Sequence, residues 1–404
     1  MIGLRMGVAA LLVASLALPA DAVVSTGEPA ALLAFPLISV DGASGTDTLI
    51  QITNTDAADV AVRCVYENPS GPDGMAAFTP FLIHLTADQP VAWRASSGLA
   101  TVPGAGGAIP ALPAFTGVLR CVAADSDGKP TDRNVLVGSA TVERFVTTPG
   151  VAVDSARYNA TGIGAVPGAS NGDDQLVLGG PKAEYDACPA SLILQSFLDG
   201  AVVDLGADAA LHRTLSTTLA LVTCAQSATA GTVPMLDLSL TNEFGLLLTA
   251  ASRPFRDQLV VPLSQLDNDD PSRSIFAVGM QGSLTATIHI TPRPGTSGVL
   301  AVAFPTYVDP ADAANRATAA VSPQLDGALA GPDVVDFAVP TARPTCAGDC
   351  NSNGRVTIDE LVTAVNIALG SQPLALCPSL DTSGNGRAEI NEVIAAVIHA
   401  LNGC

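Results

Sequence analysis

Positive charge is scarce in this sequence. Lysine occurs twice, at Lys129 and Lys182, and 18 basic residues face 38 acidic ones, for a formal net charge of −20. Such a surface repels a phosphate backbone, which argues against nucleic acid as a partner and makes cations the natural counter-charge. Aromatic residues are sparse too, at 4% of the chain with Trp93 the single tryptophan, which argues against a broad stacking platform for sugars. Beyond the first residues no apolar run approaches the length of a membrane helix. None of the eight cysteines forms a C-x-x-C pair, so a zinc ribbon or thioredoxin-type site is not expected. The H-E-x-x-H zinc motif, the G-x-S-x-G elbow and a phosphate-cradling glycine loop are all missing. His84 and His289 fall in alternating, strand-like runs and His399 in a helical one, positions that suit structure better than catalysis.

What is present begins with a leader. Arg5 precedes an apolar run from Met6 to Leu18, and Ala20, Asp21 and Ala22 form a small-x-small site. That pattern predicts a secretory signal over residues 1–22 and a chain that is secreted or held at the cell surface, a periplasmic location being the variant. The even cysteine count agrees, because disulfides are the default in an oxidising compartment. Cys64, Cys121, Cys188 and Cys224 lie in the body, and Cys346, Cys350, Cys377 and Cys404 in the tail. Each group is expected to pair internally, with the partners left open.

The body reads as mainly β. Short alternating or β-branched runs such as "DTLIQIT" (47–53), "DVAVRCVYE" (59–67), "GVLRCVA" (117–123), "SLTATIHIT" (283–291) and "GVLAVAF" (298–304) are separated by Gly, Pro, Asn and Asp clusters. This spacing predicts one or two antiparallel sandwich-like units, over residues 23–165 and 166–307. "TVPGAGGAIPALPAF" (101–115) is expected as a long surface loop, and 308–345 as an Ala/Pro/Asp-rich segment or linker. Two stretches, around Asn54 and Asn242, share a plan of strand, Asn-containing turn and strand, which suggests similar units. No catalytic residue is assigned. Glu67, Glu143, Glu184, Asp186 and Glu243 could serve a carboxylate pair, but nothing in their spacing selects two of them. Asp173, Asp174, Asp267, Asp269 and Asp270 sit in acidic turns of the ordinary kind.

Residues 346–404 are the most specific part of the sequence. Counting from Asp349, the places one, three, five, nine and twelve hold Asp349, Asn351, Asn353, Thr357 and Glu360, with Gly354 at six. In a second copy the same places hold Asp381, Ser383, Asn385, Glu389 and Glu392, with Gly386 at six. A hard dication takes six to eight oxygens, and this spacing gathers them from one tight turn, with the carbonyls of Arg355 and Arg387 at place seven. Calcium is the expected ion. With neutral Asn and Ser among the donors, the sites should be weak, about 10⁻⁴ to 10⁻³ M. A capping box of Thr357 and Glu360 starts a helix after the first loop. Both helices carry an apolar stripe at identical offsets, Ile358, Leu361, Val362, Val365, Ala368 and Leu369, then Ile390, Val393, Ile394, Val397, Ala400 and Leu401. The two stripes are expected to bury against each other.

A duplicated loop-then-helix plan without an entering helix before Asp349 resembles a type I dockerin, a variant of the EF-hand repeat pair. The resemblance implies that the loop residues named above bind calcium and that the tail docks onto a cohesin-like protein or onto its own chain. It differs from the common dockerin pattern in closing each loop with Glu360 or Glu392 rather than Asp, and in its four cysteines. The expected function is a non-catalytic β-rich protein whose calcium-binding tail serves docking or stabilisation. The alternative is a dockerin-bearing polysaccharide-degrading enzyme or an accessory protein that binds a glycan.

Overall fold

A computed structural model describes residues 24–69, 77–104, 106–145, 152–204, 212–225, 235–255, 257–293, 295–329, 332–337, 347–350, 356–372, 374–380 and 388–402. The leader 1–22, Cys346, Cys404 and loop residues 351–355 and 381–387 therefore lie outside the described residues. The strands in chain order are β1 (Leu32–Val40), β2 (Thr46–Asn54), β3 (Val60–Asn68), β4 (Ala77–Leu85), β5 (Pro90–Arg94), β6 (Phe115–Ala124) and β7 (Leu136–Phe145). They continue as β8 (Ala152–Asn159), β9 (Thr161–Ile163), β10 (Gln175–Leu178), β11 (Pro189–Phe197), β12 (Val202–Asp204), β13 (His212–Thr223) and β14 (Leu236–Asn242). The last are β15 (Leu247–Ala251), β16 (Gln258–Pro262), β17 (Thr285–Pro292), β18 (Val299–Asp309), β19 (Asp312–Thr318), β20 (Gln324–Leu329) and β21 (Asp333–Asp336).

Four antiparallel sheets follow from their pairing. Sheet I has the order β5-β2-β7-β8, sheet II β4-β3-β6-β1-β9, sheet III β12-β13-β18-β19 with β16 also on β13, and sheet IV β15-β14-β17-β11-β20. β10 and β21 form a small ribbon. Sheets I and II share one core, where Ile50, Ile52 and Trp93 meet Phe35, Ile83 and Leu119. Sheets III and IV share another, built from Leu219, Leu221 and Ala301 against Leu194, Leu238 and Ile288. The opposite face of sheet II, with Leu32, Val118 and Val122, packs on Val222 and Leu300 of sheet III and on the small ribbon. The layers therefore run I, II, III, IV.

This stacking explains two kinds of strand in the sequence. Strands of the inner sheets are covered on both faces and read as nearly continuous apolar runs, as in "LLAFPLISV" of β1, where eight of nine residues are buried. Strands of the outer sheets alternate, as in β14, where the buried residues are the even-numbered ones from Leu236 to Asn242. β1 escapes sequence analysis because Pro36 interrupts it. The strand accommodates the proline by a register shift between Phe35 and Ile38, and the Pro36 carbonyl accepts from Gln258 Nε2 at 2.7 Å.

Polar groups also lock the middle layers. Arg120 and Glu67 form an ion pair with both side chains at most 5% exposed, and Arg120 Nη2 donates to the Thr223 carbonyl of sheet III at 2.6 Å. Arg63 on β3 binds Asp174 and donates to the Phe337 carbonyl. Disulfides join Cys64 to Cys121 across β3 and β6, Cys188 to Cys224, and Cys350 to Cys377, so these pairs stay within body and tail as expected. These three disulfides among the described residues fit an oxidising environment, and no described helix is long and apolar enough to cross a membrane.

Several expectations need correction. The segment 308–345 is no plain linker. It continues β18 and adds β19, β20 and β21, which complete sheets III and IV and the small ribbon. Its Ala and Asp content hid the strands, because packing against neighbours overrode weak β-propensity. The stretch 101–115 is only partly surface, since Val102, Ile109 and Leu112 insert into the core of sheets I and II. The similar stretches around Asn54 and Asn242 share local chemistry but not topology. Asn54 Oδ1 accepts from Asp56 N, and Asn242 Oδ1 accepts from Phe244 N and Leu246 N. Yet β2 and β3 belong to different sheets, whereas β14 and β15 form a hairpin within one.

Candidate metal centre and its helices

After the short helix α1 (Val278–Gln281) of the body, the tail has its own small core and two helices, α2 (Ile358–Ala368) and α3 (Ile390–Asn402). The sequence starts α2 where a reciprocal cap satisfies the free amides of a first turn: Thr357 is the N-cap, and Glu360 returns its carboxylate to the Thr357 backbone. Glu360 Oε2 accepts from Thr357 N at 2.8 Å and Thr357 Oγ1 at 2.7 Å, while Oε1 accepts from Cys350 N at 3.0 Å. One carboxylate at place twelve thus ties together the start of the loop and the start of the helix. The second copy repeats half of this arrangement, Glu392 Oε2 accepting from Glu389 N at 2.9 Å.

Asp349, Glu360 and Glu392 are 6%, 5% and 1% exposed, respectively. The first loop is joined to the segment leading into the second by the Cys350–Cys377 disulfide and by Ser379 Oγ, which donates to the Asp349 carbonyl at 2.6 Å. Gly348 has φ +89°, and a Cβ there would lie 2.4 Å from Ala396 Cβ, so the first loop rests directly on α3. Sequence analysis missed Gly348 and Ser379, which precede each loop and carry no loop-position signature. Asn351, Asn353, Arg355, Asp381, Ser383, Asn385 and Arg387 lie outside the described residues. Asp349, Thr357, Glu360, Glu389 and Glu392 are placed as above.

The donor chemistry fits a hard divalent cation. Residues 346–404 hold six carboxylates, at 349, 359, 360, 381, 389 and 392, against two arginines, at 355 and 387. Three of these, Asp349, Glu360 and Glu392, are buried, and burying carboxylates is costly without positive charge, which a dication bound by oxygens would supply.

The apolar stripes do not bury against each other, which corrects the expectation. Ile358, Leu369, Ile390 and Leu401 are 81%, 73%, 77% and 78% exposed, and Val362, Val365, Ile394 and Val397 are exposed as well. The helices meet instead through Ala364, Ile367 and Ala396, with Leu361 and Val393 at the margin. Glu360, Ala364 and Ile367 follow Ile358, Val362 and Val365 by two residues, about 200° around a helix, so burying one line turns the other to solvent. Ala364 and Ala396 are the small residues at this crossing.

Elsewhere the acidic candidates serve structure. Glu67 is paired with Arg120, Glu143 with Arg94, and Glu184 accepts from Asn171 N and Val177 N. Glu243 accepts from Leu284 N and Thr285 Oγ1, Asp267 holds Ser274 and Ile275, and Asp173 caps its own turn at Gln175. Asp186 differs: its Oδ2 is buried without a partner, and burial pushes its carboxyl up to about 6. The sulfurs of Cys188 and Cys224 and a carboxylate oxygen of Asp333 lie within 4.8 Å of one another, but the sulfurs are bonded to each other, so this is a disulfide beside a carboxylate. A cavity of about 360 Å³ opens on the outer face of sheet IV among Gln195, Phe197, Thr241, Glu243 and Thr287. No protein family, curated protein or solved structure matches the chain.

Proposed function

We propose that this chain is a secreted or surface-associated, non-catalytic protein whose tail binds two calcium ions and docks a protein partner. The body, a stack of sandwich-like sheets, is the cargo or scaffold that the tail places. In this reading Asp349, Asn351, Asn353, Thr357 and Glu360, with the Arg355 carbonyl, hold one ion. Asp381, Ser383, Asn385, Glu389 and Glu392, with the Arg387 carbonyl, hold the other. When bound, calcium supplies the positive charge that fixes the loops. The chain's own part is to aim Glu360 and Glu392 inward through the amides of Thr357 and Glu389.

The observation that carries the docking half is the solvent-facing apolar line on each helix, from Ile358 to Leu369 and from Ile390 to Leu401. Two such lines with matching offsets offer a partner the kind of apolar surface that marks protein interfaces. A dockerin-like tail of this kind suits a cohesin-type domain.

The test is calorimetric titration of the oxidised full chain with calcium, followed by binding to cohesin-type domains with calcium and with chelator. Two weak sites that disappear in Glu360→Ala, Glu392→Ala support the metal reading, and absence of heat refutes it. Calcium-dependent binding that Val362→Glu, Ile394→Glu abolishes supports docking. Unchanged binding in that variant refutes the helix-face interface.

A further inference from the structure

A strand at the end of a sheet leaves one row of backbone N–H and C=O groups without a strand partner, and folded proteins usually cover or charge such rows. Several edges among the described residues are treated in that way. β4 is bridged at Ile83 by Gly107, β9 at Gly162 by Ser25, and β8 meets Thr318, whose N and Oγ1 donate to Asp154.

β15, the end strand of sheet IV, is treated differently. Ser252 N donates to the Leu236 carbonyl and Asn242 N to the Leu246 carbonyl, so the hydrogen-bonded pairs of this hairpin join even-numbered residues. Leu247, Thr249 and Ala251 therefore turn their N–H and C=O groups away from β14, and among the described residues nothing pairs with them. From Phe244 to Ser252 the sequence "FGLLLTAAS" has no charge and no proline to guard the edge. Phe244, Leu246 and Leu247 are 71%, 55% and 61% exposed.

We propose that β15 is the interface of a two-fold symmetric dimer, in which the β15 strands of two copies pair antiparallel about Thr249 and join their sheets IV into one. A second copy fits this edge for three reasons. The outward-facing groups are symmetric about Thr249, so Leu247 of each copy meets Ala251 of the other, a large side chain against a small one, and the contact closes on itself. A chain of net charge −20 repels its own copies over most of its surface, and this strand brings no carboxylate into the contact. The nearest charges on either side, Glu243 and Arg253, are engaged elsewhere, with Leu284 and Thr285 and with Asp269, so neither sets a like charge into the contact. Three residues of ladder and a few apolar side chains make a small interface, so the dimer is a weak one.

Sedimentation equilibrium of the full oxidised chain tests this between about 1 µM and about 300 µM, a range that brackets a weak interface. The average mass should climb from that of the 40.6 kDa chain toward twice that value. Thr249→Pro removes an N–H that points outward, so it should hold the protein monomeric while leaving the hairpin bonded. Leu247→Lys should do the same by putting a charged ammonium into the apolar contact opposite Ala251 of the other copy, and circular dichroism checks that both variants fold. A wild-type chain that stays monomeric throughout overturns the proposal. So does a dimer that survives both variants, including one broken instead by Val362→Glu, Ile394→Glu on the tail helices.

Discussion

Replacing Arg120 by methionine tests whether sheets II and III are locked by charge. Arg120 is 3% exposed, pairs with Glu67 at 4%, and donates to the Thr223 carbonyl on the facing sheet. Methionine keeps much of the side-chain volume, so the cavity term is small. What changes is that Glu67 loses its cationic partner in a buried place and the Thr223 carbonyl loses a charged donor. Breaking a buried pair by removing one partner costs about 3–5 kcal/mol. Removing both charges by Arg120→Met, Glu67→Gln should recover most of that, because the buried uncompensated charge is then gone. Urea unfolding followed through Trp93, 3% exposed in the neighbouring core, reads both variants as shifts of the midpoint. A single variant that costs less than about 1 kcal/mol, or a double variant worse than the single, would refute the account, because the energy would then not reside in an unbalanced charge.

Asp186→Asn should remove part of the pH dependence of stability. Burial raises the folded carboxyl to about 6 from an ordinary 3.8, so the folded state holds its proton where the unfolded state has lost it. Wild-type stability therefore falls as pH rises through that window and levels off above it, and the variant should gain on wild type between about pH 4 and pH 6 in thermal melts. Gly348→Ala places a Cβ against Ala396 at φ +89° and should loosen the tail by about 1 kcal/mol or more, read as faster amide exchange in α2 and α3 with the body unchanged. Tyr66→Phe deprives Trp93 Nε1 of its acceptor at 2.7 Å and should cost about 1–2 kcal/mol, with calcium titration unaffected. Opening the Cys188–Cys224 disulfide, which closes a span of 36 residues, by mutating both cysteines to alanine should cost about 3–4 kcal/mol in the same unfolding assay.

The sequence was legible where one face of an element meets water. β14 and β17 alternate, and their pattern names both the strand and the buried side. β1 and β19 were not legible, for opposite reasons. β1 is buried on both faces and broken by Pro36, so it lacks a period, while β19 is so rich in alanine and charge that nothing marks it as a strand. Helix ends were legible because caps are local: Thr357 and Glu360 announce the start of α2 without help from the rest of the chain. Which face of that helix is buried was not, because periodicity gives a stripe and not its partner.

The tail shows why that last distinction matters. A helix pair on its own would bury its largest side chains, and the stripes from Ile358 and Ile390 are the larger ones. Here two constraints outweigh that gain. The Cys350–Cys377 disulfide ties the first loop to the segment before the second, and Gly348 sits against Ala396 of α3, so the helices meet where Ala364 and Ala396 are small. Calcium held within each loop would tighten that loop, since its oxygens come from residues at both ends of the turn. In that packing the large apolar side chains of the stripes face outward. In the proposed reading the metal sites and the exposed face are coupled, so that opening the loops should let the helices roll and the stripes bury themselves. A partner that binds the stripes must then bind more tightly with calcium present, and by linkage must raise the calcium affinity by the same factor.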